Sequence, residues 1–409
     1  MLDIVKIYTP DLEVGMHVSS LDRPWLETPF ALQGFRLRNQ DEIEQLRGFC
    51  KFVYVDCIKS AQEASILRRK VRNRPRLSTQ EMFQDRKLKN YQDVASWEEE
   101  YPRAQSSVTA LAEGIEAIFE DTAKGKALNV VAVKKAVEPM IDSISRNPDA
   151  CIWLARMKQE DQYTYQHSLG SAIWAVALGR QLGLPKSDLR TLAIGGVLFD
   201  VGKLRVKPDL LKANRKLSDD EFTELRSHVQ LGVDMIKESG LMNSDVIDMI
   251  THHHERHDGS GYPQGLSGDE IPIFARIASI VDCYDAITSH RSYARAIPPS
   301  TAIKMLYEWK DIDFQGELIE QFIQAVGIYP AGTLVELTTG EVGVVVAEYR
   351  TRRLRPKVRL LLDGEKQPFG EVKTIDLSTE NNASDGRRLD IASSLQPDAY
   401  GIDMTAITL

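Results

Sequence analysis

The stretch that says most about the fold reads HHERHDGSGYP and spans residues 253–263. Its two adjacent histidines, His253 and His254, offer imidazole nitrogens, which are common ligands of divalent metals. In the loop that follows, Gly261 permits a close backbone approach and Pro263 restricts the turn. The adjacent histidines therefore point to a metal site.

Metal-capable side chains also occur upstream and downstream of this stretch, and six of the eight histidines lie between His167 and His257. Imidazoles and carboxylates suit first-row divalent metals, and an aspartate between two histidine groups can bridge two cations about 3.5–4 Å apart. Such a pair can hold a hydroxide nucleophile and neutralise a phosphodiester. A single histidine is more often a core or surface residue, but together these groups predict a metal centre. Its candidate ligands are His167, Asp200, His228, His253, His254 and Asp282.

The pattern around these residues is helical. Residues 149–329 repeat a helical period with few strand signals, and Ser218 with Glu221 forms a capping-box pattern at a helix start. After Pro330 the period changes to two, which favours β-strands. Residues 1–60 combine an amphipathic stretch with short β-branched runs. The sequence therefore predicts a multidomain, mainly α protein with a small N-terminal α/β domain and a small C-terminal β module.

The predicted domain boundaries lie near residues 130 and 330. The first domain, 1–130, ends in a polar helical connector that begins at about residue 81. The all-α domain spans 131–330. Residues 331–409 hold the β module and a polar tail, which begins near Asn381 and is expected to be poorly ordered.

Composition narrows the function classes. The 409-residue chain has a net charge of −8, which argues against DNA or RNA as a partner. No apolar stretch approaches the roughly 20 residues that a membrane span needs. The N-terminus lacks a signal-peptide layout because Asp3 precedes a very short apolar run. The four cysteines are scattered, which disfavours a disulfide framework. We therefore expect a soluble, cytoplasmic protein.

Three motifs together resemble one family. HHERHDGSGYP, the downstream VDCYDAITSHRSY (281–293) and the upstream D-x-G-K (200–203) strongly resemble the HD-GYP family of cyclic di-GMP phosphodiesterases, a branch of the HD phosphohydrolase superfamily. This resemblance covers about residues 150–330 and implies an HD-type helical bundle. GMHVSSLDRPWLETPF (15–30) and CKFVYVD (50–56) resemble the small domain of unassigned function that often precedes it. The combination implies a bacterial signalling protein that binds cyclic di-GMP.

The resemblance implies a role for each matching residue. The six candidate ligands would hold one or two divalent transition metals per chain, iron or manganese in this family, with Asp200 as the bridge. Lys203 would meet a phosphate oxygen as a charged donor, so Asp200 and Lys203 are the implied catalytic residues. Gly261, Tyr262 and Pro263 would shape the substrate pocket.

Two more matching positions lie near the nucleotide in this family, Asp285 and Arg291. A guanidinium can clamp a phosphate or stack on guanine, although a surface salt bridge explains Arg291 equally well. Tyr262 has a similar alternative, in which its ring packs the loop instead of facing the substrate. With these alternatives open, the predicted substrate-binding residues are Gly261, Tyr262, Pro263, Asp285 and Arg291.

Two positions depart from the family pattern. The His-Asp pair that names the superfamily is Phe199-Asp200 here, and a phenyl ring cannot ligate a metal. One of the two sites therefore loses a histidine, while Asp200, His228 and the adjacent histidines of the other remain. Some family members have a glutamate where Tyr163 stands, and it supports a third metal, so we expect at most two.

The resemblance leaves two functions open. The first is metal-dependent hydrolysis of cyclic di-GMP to linear pGpG, with GMP as an alternative end product, slowed by Phe199. The second is a degenerate domain that binds cyclic di-GMP or a partner protein without turnover. In the N-terminal domain, the aromatic loop Arg23–Phe30 and the basic run Arg68–Arg76 suggest a docking surface for a signalling partner. A solvated linker face is the other interpretation of the basic run.

Overall fold

The computed structural model describes most of the chain and divides it into two compact units, Met1–Leu77 and Ser78–Leu409. The described residues are 4–22, 34–56, 60, 76–156, 163–211, 213, 215, 217–289, 296–349, 352–383, 386–396 and 398–402. The aromatic loop Arg23–Phe30, the basic run except Arg76, and Arg291 lie outside them.

The first unit is a small antiparallel sheet with one helix. Its strands are β1 (Ile4–Tyr8), β2 (His17–Leu21), β3 (Phe35–Arg36) and β4 (Phe52–Asp56), in the order β1-β4-β2-β3. Helix α1 (Gln40–Phe49) begins at Asn39, whose side chain accepts a hydrogen bond from the backbone N–H of Glu42. α1 buries Ile43 and Leu46, and β4 buries Val53 and Val55, in one core. The predicted N-terminal α/β domain is confirmed.

The second unit is mainly helical. Its helices are α2 (Thr79–Met82), α3 (Trp97–Ala123), α4 (Val130–Arg146), α5 (Pro148–Arg156), α6 (Tyr163–Gln181), α7 (Lys186–Leu198), α8 (Pro208–Leu211), α9 (Asp219–Arg226), α10 (His228–Glu238), α11 (Ser244–His252), α12 (Ile273–Thr288), α13 (Pro299–Glu308) and α14 (Gly316–Val326). Between His167 and Arg180, α6 is buried on every face, as expected for a central helix. The capping box of Ser218 and Glu221 is present at the start of α9. The predicted mainly helical fold is confirmed.

The helical connector packs differently from its predicted place in the first domain. Leu111, Ile115 and Phe119 of α3 are buried in the same hydrophobic core as α6 and α7. The buried Glu100 carboxylate also binds α4, because it accepts hydrogen bonds of 2.7 and 2.8 Å from the Arg146 guanidinium. The compact units therefore separate at residue 77, because the apolar face of α3 is covered by the helical domain, and the domain boundary near residue 130 stays a prediction of the sequence.

A five-stranded antiparallel sheet ends the second unit, as the change of period predicts. The strands are β5 (Leu334–Leu337), β6 (Val342–Ala347), β7 (Lys357–Leu362), β8 (Pro368–Asp376) and β9 (Ile391–Ser394), in the order β8-β7-β6-β5-β9. Val344 and Val346 of β6 join the helical core, whereas Val345 joins the sheet's own core. The tail predicted to be poorly ordered supplies β9, which pairs with the edge of β5. No helix among the described residues is long and apolar enough to cross a bilayer.

Candidate metal centre

Asp200 lies in the tight turn between α7 and a short 3-10 helix, Val201–Arg205. Gly202 brings this turn against the start of α10. A Cβ at Gly202 would collide with the carbonyl oxygen of His228 and approach the backbone nitrogen of Gly232. Only a residue without a side chain allows this approach, so the D-x-G-K sequence places Asp200 beside His228.

The other candidate ligands come from separate helices. His167 lies on α6, His228 begins α10, and Asp282 lies on α12. His253 and His254 follow the last residue of α11. Helix packing therefore brings the six predicted metal ligands together around Asp200.

One group of potential ligands comprises Asp200, His228, His253 and His254. Oδ1 of Asp200 lies 3.4 Å from Nε2 of His228 and 3.6 Å from Nε2 of His253. These two imidazole nitrogens are 3.5 Å apart. Oδ1 is buried and accepts no hydrogen bond within the described structure. A buried carboxylate oxygen surrounded by imidazole nitrogens is well suited to a divalent cation.

A second group comprises His167, Asp200 and Asp282. Nε2 of His167 lies 3.0 Å from Oδ1 of Asp282 and 3.4 Å from Oδ2 of Asp200. Asp200 thus presents one oxygen to each group, which is the geometry of a bridging carboxylate. The second group has three side chains where the first has four.

Phe199 lies between the two groups and is fully buried. Its ring stacks on His253, with centroids 4.8 Å apart and planes at 25°, and meets His167 edge-on at 5.8 Å. The ring offers no ligand atom. An apolar ring thus contacts one imidazole of each group, at the position where the resemblance implies a further imidazole.

Hydrogen bonds from Nδ1 orient the imidazoles of the candidate ligands, whose Nε2 atoms face Asp200. Nδ1 of His228 donates to the carbonyl of Leu225 at 2.7 Å, and Nδ1 of His253 donates to that of Ile250 at 2.9 Å. Because a carbonyl only accepts, each ring keeps its proton on Nδ1 and turns the Nε2 lone pair toward Asp200.

Asp285 orients the imidazole of His167 through the same ring nitrogen, Nδ1. Its Oδ2 lies 2.8 Å from Nδ1 of His167, and its Oδ1 accepts a 2.9 Å hydrogen bond from the Trp174 indole. The side chain is 1% exposed and lies behind the imidazole, away from Asp200. This position corrects the expected contact of Asp285 with the nucleotide, because the ring of His167 stands between Asp285 and the ligand groups.

The electrostatics also suit a cation. Burial lowers the pKa of His228 to about 4 and lowers that of His254 well below its usual range, so both rings are neutral ligands near pH 7. Burial likewise opposes a charge on His167, but hydrogen bonds with Asp200, Asp282 and Asp285 outweigh it and raise its pKa to about 10. The carboxylates around His167 thus form a negatively charged environment in which a proton or a metal cation can be bound.

Lys203 lies at the edge of this cluster, in the predicted D-x-G-K position. Its Nζ is 2.5 Å from Oδ2 of Asp200, and its side chain is 26% exposed. The ammonium group is therefore both paired with the bridging carboxylate and accessible from outside.

The Gly-Tyr-Pro loop covers His254. Tyr262 stacks on His254 with centroids 4.6 Å apart and planes at 28°, and its backbone N–H donates to the His254 carbonyl at 3.2 Å. A Cβ at Gly261 would collide with backbone atoms of His254, Glu255 and Arg256, so this position requires glycine. Pro263 is exposed at the outside of the loop. The loop therefore lies directly against the four-residue group.

Sequence reasoning missed Glu255, which holds this loop in place. Its buried carboxylate accepts hydrogen bonds from the backbone N–H groups of Gln264 at 2.7 Å and Leu266 at 3.1 Å. In the sequence, only its position between the paired histidines and the Gly-Tyr-Pro loop indicated that Glu255 could contact the loop. A buried glutamate needs such partners to offset its desolvation.

Three family models match successive parts of the chain. A domain of unknown function (DUF3391) matches residues 4–133, an HD domain matches residues 140–316, and a KOW domain associated with HD domain matches residues 334–384. A cyclic di-GMP phosphodiesterase of Pseudomonas aeruginosa is 33% identical over 382 residues, which cover 91% of this chain and 88% of that protein. The chain belongs to the HD-GYP family. The resemblance that the sequence motifs carry is thereby confirmed for both the helical and the N-terminal domains.

Two further HD-GYP relatives match over a smaller part of their length. A cyclic di-GMP phosphodiesterase response regulator of Xanthomonas campestris is 32% identical over 148 residues, 36% of this chain and 39% of that protein. A 3′3′-cGAMP-specific phosphodiesterase of Vibrio cholerae is 32% identical over 162 residues, 39% of this chain and 31% of that protein. The relatives of this HD-GYP protein thus carry names for two different cyclic dinucleotide substrates.

Proposed function

We propose that this HD-GYP protein is a metal-dependent phosphodiesterase that opens cyclic di-GMP to the linear dinucleotide pGpG. One observation carries the proposal: the two oxygens of Asp200 face two different groups of potential metal ligands. The name of the P. aeruginosa relative, which is matched over 88% of its length, supports cyclic di-GMP as the substrate. GMP is the alternative end product, reached by a second hydrolysis.

The six candidate ligands form two cation-binding groups that share Asp200. His228, His253 and His254 would hold one cation, His167 and Asp282 would hold the other, and Asp200 would contribute to both. When bound, such cations neutralise the phosphodiester and lower the pKa of an attacking water. Iron and manganese both suit this set of nitrogen and oxygen ligands.

Other residues act on the substrate or on the ligands. Lys203 exchanges its contact with Asp200 for a phosphate oxygen and stabilises the charge that develops there. Asp285 keeps His167 in the orientation in which its Nε2 faces Asp200. Gly261 allows the loop to lie against the metal centre and Tyr262 stacks on His254 beside the bound substrate. A substrate contact of Pro263, which is exposed at the outside of the loop, stays a prediction. A nucleotide contact of Arg291 stays a prediction, because that residue lies outside the described structure.

Phe199 makes this enzyme slow. The three-residue group has no imidazole at the position of the buried phenyl ring, so it would hold a cation less tightly than the four-residue group would. The same observation supports an alternative function, in which the domain binds cyclic di-GMP or a partner protein without turnover. The complete four-residue group and the accessible Lys203 favour hydrolysis.

The N-terminal unit and the cellular location are proposed on the sequence alone. The unit Met1–Leu77 offers a docking surface for a signalling partner, although the aromatic loop and most of the basic run lie outside the described residues. A cytoplasmic location is consistent with the absence of a membrane-spanning helix among the described residues.

The experiment is metal analysis of anaerobically purified protein followed by turnover assays. The protein is loaded with iron or manganese and incubated with cyclic di-GMP or 3′3′-cGAMP, and products are separated by chromatography. Metal-dependent formation of pGpG that is lost in Asp200→Asn supports the proposal. Tight binding of cyclic di-GMP with no product under either metal would favour the non-catalytic alternative. Faster turnover of 3′3′-cGAMP would reassign the substrate.

A further inference from the structure

An exposed arginine lies on the outer face of the Gly-Tyr-Pro loop. Arg226 is the last residue of α9, and its Cζ is 4.5 Å from the centroid of the Tyr262 ring. The same Cζ is 4.4 Å from the centroid of Phe222, one turn earlier on α9. Two aromatic rings therefore restrain one guanidinium, which both cation–π attraction and the flat shape of the group favour.

No carboxylate among the described residues pairs with Arg226. Neighbouring arginines do have such partners, since Arg205 binds Glu238 at 2.7 Å and Arg215 binds Glu221 at 2.6 Å. The aromatic rings occupy space beside the guanidinium but use none of its N–H donors. Arg226 thus presents a positive charge and an unused hydrogen-bonding edge at the surface.

The position of Arg226 connects it to the metal centre. Its guanidinium lies over Tyr262, which in turn stacks on the candidate ligand His254 at 4.6 Å. A nucleotide whose phosphodiester lies at Asp200 would extend its neighbouring groups toward this rim.

We infer that Phe222 and Arg226 form a guanine subsite at the rim of the metal centre. The inference rests on the proposed function and names the part of the substrate that the rim recognises. A guanidinium donates two parallel hydrogen bonds to O6 and N7 of guanine, whereas adenine presents an amino donor in place of O6. The ring of Phe222 is 43% exposed and offers a stacking surface to a base. A hydrated phosphate would gain nothing from that apolar ring, so the arrangement favours a base over a phosphate.

The test compares three substrates. The values of kcat/KM are measured for cyclic di-GMP, for cyclic di-AMP and for bis(p-nitrophenyl) phosphate, a phosphodiester without a purine, and Kd is measured for both cyclic dinucleotides. We expect Arg226→Ala to lower the preference for cyclic di-GMP over cyclic di-AMP about 10- to 100-fold. The ratio of kcat/KM for cyclic di-GMP to that for bis(p-nitrophenyl) phosphate should fall by a similar factor. Phe222→Leu should weaken both cyclic dinucleotides, because stacking does not depend on the identity of the base.

Two variants separate base recognition from other roles. Arg226→Lys keeps the charge but loses the planar pair of donors, so it should lose the guanine preference as Arg226→Ala does. Full retention of rate and preference in Arg226→Lys would mean that a charge acts on a phosphate, which overturns the subsite. Equal losses on all three substrates would assign Arg226 to packing of Tyr262 and also overturn it. Arg103→Ala, an exposed arginine on α3, is the matched control and should leave all ratios unchanged.

Measurements on the wild-type protein distinguish a failure of the guanine subsite from a failure of the proposed function. If it acts on or binds cyclic di-GMP and Arg226→Ala leaves the guanine preference unchanged, only the subsite is wrong. A wild-type protein that neither binds nor hydrolyses a cyclic dinucleotide would overturn the proposed function and the subsite with it. The ratio of Kd values carries the same test if the protein binds without turnover.

Discussion

The ring of Phe199 stacks on the imidazole of His253, with centroids 4.8 Å apart and planes at 25°. Despite this contact, Nε2 of His253 still lies 3.6 Å from Oδ1 of Asp200. The phenyl ring therefore packs against a candidate ligand of the four-residue group, and it offers no ligand atom to the group of His167, Asp200 and Asp282. The two groups of potential ligands are unequal, with four side chains in one and three in the other.

Asp285→Asn should weaken the His167 half selectively. The carboxylate accepts from Nδ1 of His167 and from the Trp174 indole, and an amide is a weaker and uncharged acceptor. Loss of such a supporting group commonly costs about 10–100-fold in metal affinity or activity. Manganese titration should show weaker binding at one site only. Trp174→Phe, which removes one donor to Asp285 but keeps the carboxylate, should have a smaller effect, and equal metal affinity in Asp285→Asn and wild type would contradict the assignment.

Glu255→Ala should loosen the Gly-Tyr-Pro loop without removing a metal ligand. Two backbone N–H groups, of Gln264 and Leu266, would lose their acceptor. We expect a higher KM for cyclic di-GMP and a loss of roughly 1–3 kcal/mol in the free energy of unfolding. Glu255→Gln keeps one acceptor oxygen and should have an intermediate effect. A change in metal content with an unchanged KM would contradict this role.

The grouping of the potential metal ligands could be predicted from the sequence because metal ligation demands a few residue types. Asp200, His228 and the paired histidines form one group as expected, since the motif spacing places each at the end of an element. Glu255 could not be predicted in this way. Its partners are backbone groups of a loop, and no residue type in that loop signals them.

Side-chain direction was harder to predict than position. Asp285 follows Asp282 by three residues on α12, so both lie near one face of the helix. Only the tertiary structure reveals that the ring of His167 separates them, with Asp282 at Nε2 and Asp285 at Nδ1. The compact units separate at residue 77, whereas the family model of the N-terminal domain extends to residue 133, close to the predicted boundary near 130. The amphipathic pattern of α3 predicts an apolar face but does not specify which domain covers it.

Two truncations test where the helical unit begins. Removal of residues 1–77 should leave a protein that unfolds cooperatively, because the N-terminal unit has its own core. Removal of residues 1–130 takes Leu111, Ile115 and Phe119 from the helical core. Truncation of such a buried side chain costs about 2–5 kcal/mol, so the loss of all three approaches or exceeds a typical total stability of about 5–15 kcal/mol. Circular dichroism during thermal unfolding distinguishes the two, and equal cooperativity would contradict the boundary at residue 77.

Glu348→Gln should stabilise the protein at alkaline pH. Burial raises the pKa of Glu348 well above its usual range, the nearby Asp149 carboxylate adds to this, and Arg353 at 3.9 Å opposes it. The folded state therefore binds a proton that the unfolded state releases near pH 4.5. Stability falls as the pH rises from there through the folded pKa. At pH 8 the free energy of unfolding of the variant should exceed that of wild type, and the difference should shrink toward pH 5.

Denaturant unfolding of wild type and variant at both pH values measures this effect. The exposed Glu365, on the turn between β7 and β8, supplies the control substitution Glu365→Gln, which should change the free energy of unfolding little because the side chain is at the surface. If the free energies of unfolding of Glu348→Gln and wild type differ equally at pH 5 and pH 8, a cause other than ionisation of Glu348 is responsible.

The most direct test is the comparison of wild type with Phe199→His, both loaded with excess manganese or iron under anaerobic conditions. Bound metal per chain and turnover of cyclic di-GMP are measured at equal protein concentration, with Phe199→Leu as a control that changes the ring without adding a ligand. We predict that Phe199→His binds more metal, approaching two cations per chain, and turns over at least about 10-fold faster, whereas Phe199→Leu gains neither. Rapid turnover by wild type with two full metals, or a Phe199→His variant unchanged in both measurements, would contradict the claim that this phenyl ring impairs the metal centre.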